Sequence, residues 1–171
     1  MQMVKKFFIL LFVLWFAILF FMPKQALYYK LEEILLENDI KINEKNIEEG
    51  LFSLTLHDSK VYVKGIELAT IEKIDFFTLL FYTKVEVNKL VLDPSLKNVA
   101  PTHIDEIKIA HAIWNPLNVS LDAQGSFGNV NGQASLLERH IRVDFNETKN
   151  TEMLKGSLKQ DEKGWFYETS F

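Results

Sequence analysis

Hydrophobic and polar positions along this chain change period twice. Residues 7–22, FFILLFVLWFAILFFM, hold no polar group and are flanked by Lys5 and Lys6 before and Pro23 and Lys24 after. Over residues 26–38 the apolar positions take helical spacing. Leu27, Leu31, Ile34 and Leu35 fall at i, i+4, i+7 and i+8, while Lys30, Glu32, Glu33 and Glu37 occupy the other side. From Ile40 onward the period is two, the spacing of strands with one dry side.

The alternating stretches are Ile40/Ile42, Phe52/Leu54/Leu56, Val61/Val63, Ile66/Leu68, Val85/Val87, Leu90/Leu92, Ile107/Ile109, Leu117/Val119/Leu121/Ala123, Ile141/Val143/Phe145 and Trp165/Tyr167. Between Val87 and Leu90 the phase shifts, which predicts a bulge at Asn88–Lys89. Gly, Asn, Asp and Pro separate the stretches, so an antiparallel meander with one wet face is expected. Residues 75–82, DFFTLLFY, leave almost no polar side and read as a short buried helix or turn after an Asp75 N-cap, with a strand as the competing reading. Residues 125–132, GSFGNVNG, lack both the Gly-Lys-Ser/Thr ending of a phosphate loop and a Gly-x-Gly, so a β-turn is the expectation there.

The apolar leader predicts an uncleaved signal anchor. Sixteen helical residues cover about 24 Å against about 30 Å of hydrocarbon, a gap that flanking residues and snorkelling lysines can bridge. A cleaved signal peptide is the rival, but the run ends in Phe20-Phe21-Met22-Pro23 without a small-residue cleavage site. Basic residues at the amino terminus place that end in the cytoplasm and the bulk outside, which in a bacterium is the periplasm. The expected organisation is an anchor at 1–23, an amphipathic helix at 24–39 and an antiparallel β module at 40–171. Two uses compete for the helix's apolar stripe, lying on a bilayer or capping the sheet, and its acidic polar face favours capping.

Charge and composition narrow the chemistry. Without Lys5 and Lys6, 17 Lys+Arg face 23 Asp+Glu, a net −6 that disfavours nucleic acid. The chain has no cysteine, which excludes disulfides and thiolate metal sites. His57, His103, His111 and His140 form no ligand spacing, no nucleophile elbow or defensible carboxylate pair is present, and no enzyme activity, cofactor or metal is expected. Asp144-Phe-Asn146-Glu-Thr148 is similar to the acid-preceded acceptor of bacterial N-glycosylation, which makes Asn146 a candidate acceptor against a chance match.

The order of these segments resembles a known family. An N-terminal apolar helix leads through Pro23 to a short helix, to Ile40-Lys-Ile42, then to Gly50-Leu-Phe-Ser-Leu-Thr-Leu-His-Asp58 and Val61-Tyr-Val-Lys-Gly65-Ile-Glu-Leu68. Later, Gln124-Gly-Ser-Phe-Gly-Asn-Val-Asn-Gly132 precedes the alternating 141–145 stretch. This is similar to AsmA-like proteins and the related N component of type II secretion systems. The resemblance implies an α+β fold: a transmembrane helix, an amphipathic helix, then a curled, mostly antiparallel β-taco-like sheet with an apolar concave face. It also implies inner-membrane residence and a role in phospholipid movement or envelope assembly, although this chain is long enough for one short sheet alone.

Fourteen Phe, five Tyr and three Trp add bulk suited to acyl chains or to a partner's apolar surface. The leading expectation is therefore a periplasmic module that binds or hands on lipid-like molecules, or supports envelope assembly. Phe52, Leu54, Leu56, Val119, Leu121, Ile141, Val143 and Phe145 are its groove candidates. A helix and sheet that simply close on each other remain the alternative to a groove. The expected partners are membrane lipids and other envelope or secretion proteins. The second functional reading is a structural subunit of a type II secretion or pilus platform, recruiting partners through its anchor and an exposed sheet edge. A hydrolase comes third.

Overall fold

The computed structural model describes residues 2–79, 81–97, 101–146, 158–162 and 164–170. Two helices, α1 (Gln2–Phe21) and α2 (Lys24–Glu37), precede the strands. Met22 and Pro23 separate the helices, as expected where a proline ring removes a helical N–H and fixes φ. The strands are β1 (Ile40–Asn43), β2 (Asn46–Glu49), β3 (Ser53–Val63), β4 (Ile66–Leu79), β5 (Tyr82–Leu92), β6 (His103–Ala112), β7 (Asn118–Gly125), β8 (Gly128–Ser135), β9 (His140–Phe145), β10 (Lys159–Asp161) and β11 (Gly164–Ser170). They form one antiparallel sheet in the order β1-β3-β4-β5-β6-β7-β8-β9-β11-β10, with β2 also paired to β3.

Two expectations are corrected here. Among the described residues, no helix is long and apolar enough to cross a membrane. Because α1 stops at Phe21, its uninterrupted apolar part, residues 7–21, rises about 22 Å against about 30 Å of hydrocarbon. Rings of α1 also meet the sheet region, Trp15 lying 5.2 Å from Phe81 and Phe16 6.0 Å from Phe52 between centroids. The expected transmembrane anchor, and the single-pass inner-membrane topology built on it, therefore lack a spanning helix.

The sheet is also open and uncurled, not β-taco-like. Curvature is built with bulges and kinks, and the ladders from β7 through β8, β9 and β11 to β10 keep one-to-one register with no bulge. Irregularities are confined to the other half. There, each strand points two consecutive polar residues away from the core: His57–Asp58, Glu72–Lys73, Asn88–Lys89 and Asp105–Glu106. His57 pairs with Lys73 and Ser59 with Ile71; Lys73 pairs with Asn88 and Ile71 with Leu90; Asn88 pairs with Glu106 and Leu90 with Ile104. The doublets thus lie side by side as a crease across four strands. Asp58 and Lys89 take left-handed φ values of 49° and 51°, so the predicted phase shift at Asn88–Lys89 is one point on a longer line.

The core lies where α2 packs on β1 and β3. Tyr28 joins Leu54, Leu56, Ile71 and Ile74 in one buried cluster that reaches Val85, Val87 and Leu90 on β5. Leu56 is fully buried, and such a side chain contributes roughly 1.5–3 kcal/mol. α2 caps the sheet with Tyr28, its single buried residue, while Leu27, Leu31 and Ile34 of the expected stripe stay 40–49 % exposed.

Residues 75–79 are strand, not a helix or turn, because β3 and β5 supply ladder partners on both sides: Phe76 faces Leu54 and Val85, and Phe77 faces Ser53 and Lys84. Residue 80 lies outside the described residues.

Candidate functional site

The register sorts the strands into rows that cross the sheet. One row runs Leu54, Phe76, Val85, Ile109, Leu121, Gly132, Val143, Tyr167, and its neighbour runs Leu56, Ile74, Val87, Ile107, Ala123, Val130, Phe145, Trp165. Strand side chains two apart share a face, so both rows belong to one apolar face. Gly132 lets its neighbours close over β8: a Cβ there would sit 3.1 Å from Leu121 Cδ2 and 3.3 Å from the Arg142 carbonyl oxygen.

The opposite face is charged and internally paired. Its central row is Thr55, Asp75, Glu86, Lys108, Asp122, Asn131, Asp144. Ion pairs between residues two apart on one strand neutralise two of its acids and its lysine: Lys73–Asp75 at 2.7 Å, Lys84–Glu86 at 2.9 Å and Lys108–Glu106 at 2.6 Å. Arg142 binds Asp144 at 2.8 Å and stacks on the Phe166 ring at 4.1 Å. Asn131 donates to Asp122, and Asn146 donates to Asn131. Burial works to raise the Asp75 pKa, but hydrogen bonds from Lys73 and Thr55 outweigh it and hold the carboxyl below its ordinary value.

Seven of the eight groove candidates, Leu54, Leu56, Val119, Leu121, Ile141, Val143 and Phe145, project from the apolar face. Phe52 precedes β3 and meets Phe16. They do not converge as one set. β3 and β7 are four strand spacings apart, about 19 Å, and the uncurled sheet brings them no closer. The concave lipid-binding surface expected of these residues is therefore corrected to a broad, open face. Leu54 and Leu56 are buried, while Val119, Leu121, Ile141, Val143 and Phe145 are half-buried. Asn146 is exposed, whereas Glu147 and Thr148 of its sequon lie outside the described residues.

The four histidines stand apart, His57 on β3, His103 and His111 on β6, and His140 on β9. His103 lies 3.0 Å from Asp105, and His111 Nε2 is 3.1 Å from the Pro116 carbonyl oxygen. Among the described residues, no three metal-ligating side chains cluster.

Two features escaped the sequence pattern. The first is one end of the sheet. The β4–β5, β6–β7 and β8–β9 turns all fall on this rim, because Leu79 pairs with Tyr82, Tyr82 with Ala112, and Asn118 with Ser135. These turns expose Phe81 (50 %), Trp114 (73 %) and Leu137 (73 %), with Ile113, Leu117 and Leu136 beside them. Backbone bonds tie the turns to their neighbours: Ile113 N–H donates to the Phe81 carbonyl and Leu136 N–H to the Leu117 carbonyl. Through Trp15 and Phe81 the rim continues onto α1, whose Phe7, Phe8, Leu10 and Phe12 are all more than half exposed.

The second is a cavity of about 180 Å³ where α2 meets the start of the sheet, lined by Leu27, Tyr28, Leu31, Phe52, Leu54 and Phe76 with Lys24 beside them, so that it brings together two of the eight groove candidates, Phe52 and Leu54. Burial, then a 2.8 Å hydrogen bond to Glu44, pushes the Tyr28 phenol far up, so it stays protonated and donates to that carboxylate. Burial and the Glu44 charge also raise the Glu32 pKa.

β10 pairs with Gly164, Trp165 and Phe166, and among the described residues no strand pairs with the outer side of Tyr167, Glu168, Thr169 and Ser170. Compared with protein-family models, with curated proteins and with solved structures, the chain matches none.

Proposed function

We infer that this protein is a structural subunit that acts by protein–protein contacts, with the apolar rim of hairpin turns as its docking surface. One observation carries the reading: three neighbouring turns at one end of a single sheet each present a large apolar side chain to solvent. Contiguous exposed patches of this kind mark interaction surfaces, and aromatic residues dominate such contacts. The resemblance to type II secretion components suggests an assembly platform as the setting. The paired polar face supports the same reading, since a face neutralised by its own ion pairs offers a partner little.

The test places a photo-crosslinking amino acid at Trp114, at Leu137 and, as the control on the other rim, at Lys64. The reading expects protein adducts of defined mass at the first two sites and none at the third. The adducted protein, once purified, should bind the full chain and lose at least tenfold in affinity against a Trp114→Ser, Leu137→Ser variant. Equal adducts at both rims, or retention by phospholipid vesicles that depends on Trp114 without any protein adduct, would overturn it.

A further inference from the structure

We propose that the cavity under α2 binds a carboxylate joined by a short spacer to a single phenyl-sized group, the ring entering the cavity and the anion meeting Lys24. The site is distinct from the rim and stands or falls separately. Size sets the apolar part: an apolar cavity of about 150 Å³ accepts benzene, and this one measures about 180 Å³. Its walls are mixed in a useful way. Leu54 is buried core, Phe76 and Tyr28 offer ring surfaces, and Leu27 and Leu31 form a half-exposed wall through which a ligand can enter.

Charge sets the polar part. Lys24 lines the cavity with its side chain 14 % exposed, and its ion pair to Glu49 is long, at 3.5 Å. Glu49 is 35 % exposed and can turn to water, so an incoming carboxylate could replace it at the ammonium. A hydrogen bond to a charged group is worth about 1.5–3 kcal/mol, roughly tenfold or more in affinity. Tyr28 does not compete for the anion, because its hydroxyl is already donated to Glu44. Thr78 adds a polar group to the lining, in keeping with pockets that are mostly apolar with a few placed polar atoms.

The ligand chemistry has two sources, a free aryl-alkyl carboxylate or a polypeptide ending in phenylalanine, and the experiment separates them. The full chain, labelled at leucine methyls, is titrated with 3-phenylpropanoate, with 3-phenylpropan-1-ol, and with a short peptide ending in Phe as free acid or amide. Saturable shifts at Leu54 and Leu31 are expected for the acid, with at least tenfold weaker binding of the alcohol. Lys24→Gln should weaken the acid to the level of the alcohol and leave the alcohol unchanged. Leu27→Trp, at a half-exposed wall, should block both without touching the core. Binding by the free-acid peptide alone supports the site and assigns a protein source, and binding by the small acid supports it and assigns a metabolite. Equal affinity for acid and alcohol, or no saturable shift with any probe, overturns the proposal.

Discussion

The two rims of the sheet are both made of turns between neighbouring strands but differ in what those turns expose. At one, turns expose Phe81, Trp114 and Leu137; at the other, β3 and β4 join through Lys64 and Gly65, and β7 and β8 through Ser126 and the buried Phe127. Lys64 and Gly65 take φ values of 52° and 80°, the geometry of a two-residue turn whose twist suits its strands. The polar rim is thus optimised locally, by turn chemistry. The apolar rim leaves large apolar side chains exposed at three successive turns, with Phe81 half covered by the Trp15 ring and Trp114 and Leu137 largely in solvent.

Stability should reside between the rims. Leu56→Ala, at a fully buried site under α2, is expected to cost about 2–5 kcal/mol in urea unfolding. Leu121→Ala, the same deletion at a half-buried position on β7, should cost markedly less. Equal costs would mean that the far half of the sheet is as well covered as the near half, and the contrast between them would fail.

Exchanging rim character should separate binding from folding. Trp114→Ser with Leu137→Ser is expected to move unfolding by no more than about 0.5 kcal/mol while lowering partner affinity at least tenfold. Ile66→Ser, at 65 % exposed beside the polar rim, should change neither. Gly65→Ala meets no atom within 4 Å, so its expected cost of about 1 kcal/mol is conformational, from holding alanine at positive φ.

The smallest effect is a pH dependence on the charged face. Asp75 is held below the ordinary carboxylate value, so its contribution is present above the unfolded pKa and is lost as pH falls through the folded one. Asp75→Asn should therefore cost about 1 kcal/mol at neutral pH, with the two proteins converging as pH falls through the lowered folded-state value. A constant gap down to pH 2 would detach Asp75 from the face's ion pairing. Glu32→Gln should act in the opposite sense, slightly stabilising at neutral pH because burial and Glu44 disfavour its charge.

Much of the sheet was legible because alternation is a direct imprint of a half-wet strand. In residues 118–125 the odd positions are half-buried and, after Asn118, the even ones exposed, as the pattern requires. Residues 75–79 defeated that logic. Phe76 and Phe77 are apolar on opposite sides of β4, and a strand paired on both edges near a greasy rim loses its period-two signal. On α2, Leu35 of the predicted stripe is half-buried and Leu27, Leu31 and Ile34 are exposed, because Tyr28, amphipathic and hydrogen-bonded to Glu44, takes the inner position. The apolar run alone overstates the span, because bridging the remaining hydrocarbon depends on flanking residues whose reach alternation and composition do not reveal. Curl could not be read from alternation at all, since it depends on where bulges align between strands. The rim and the cavity were hidden for a related reason: each gathers residues from turns or elements far apart in the chain.

The crease of paired polar doublets acts as a register lock. For β4 to slip by one residue against β3, Glu72 and Lys73 would leave the level of His57 and Asp58 and drive charge into the core beneath α2. β5 and β6 would have to shift in concert to relieve it. A lone deletion at Asp58 or Lys89 would leave its own strand in regular alternation, so its cost should fall on the neighbouring strands, whose doublets would face a strand without one.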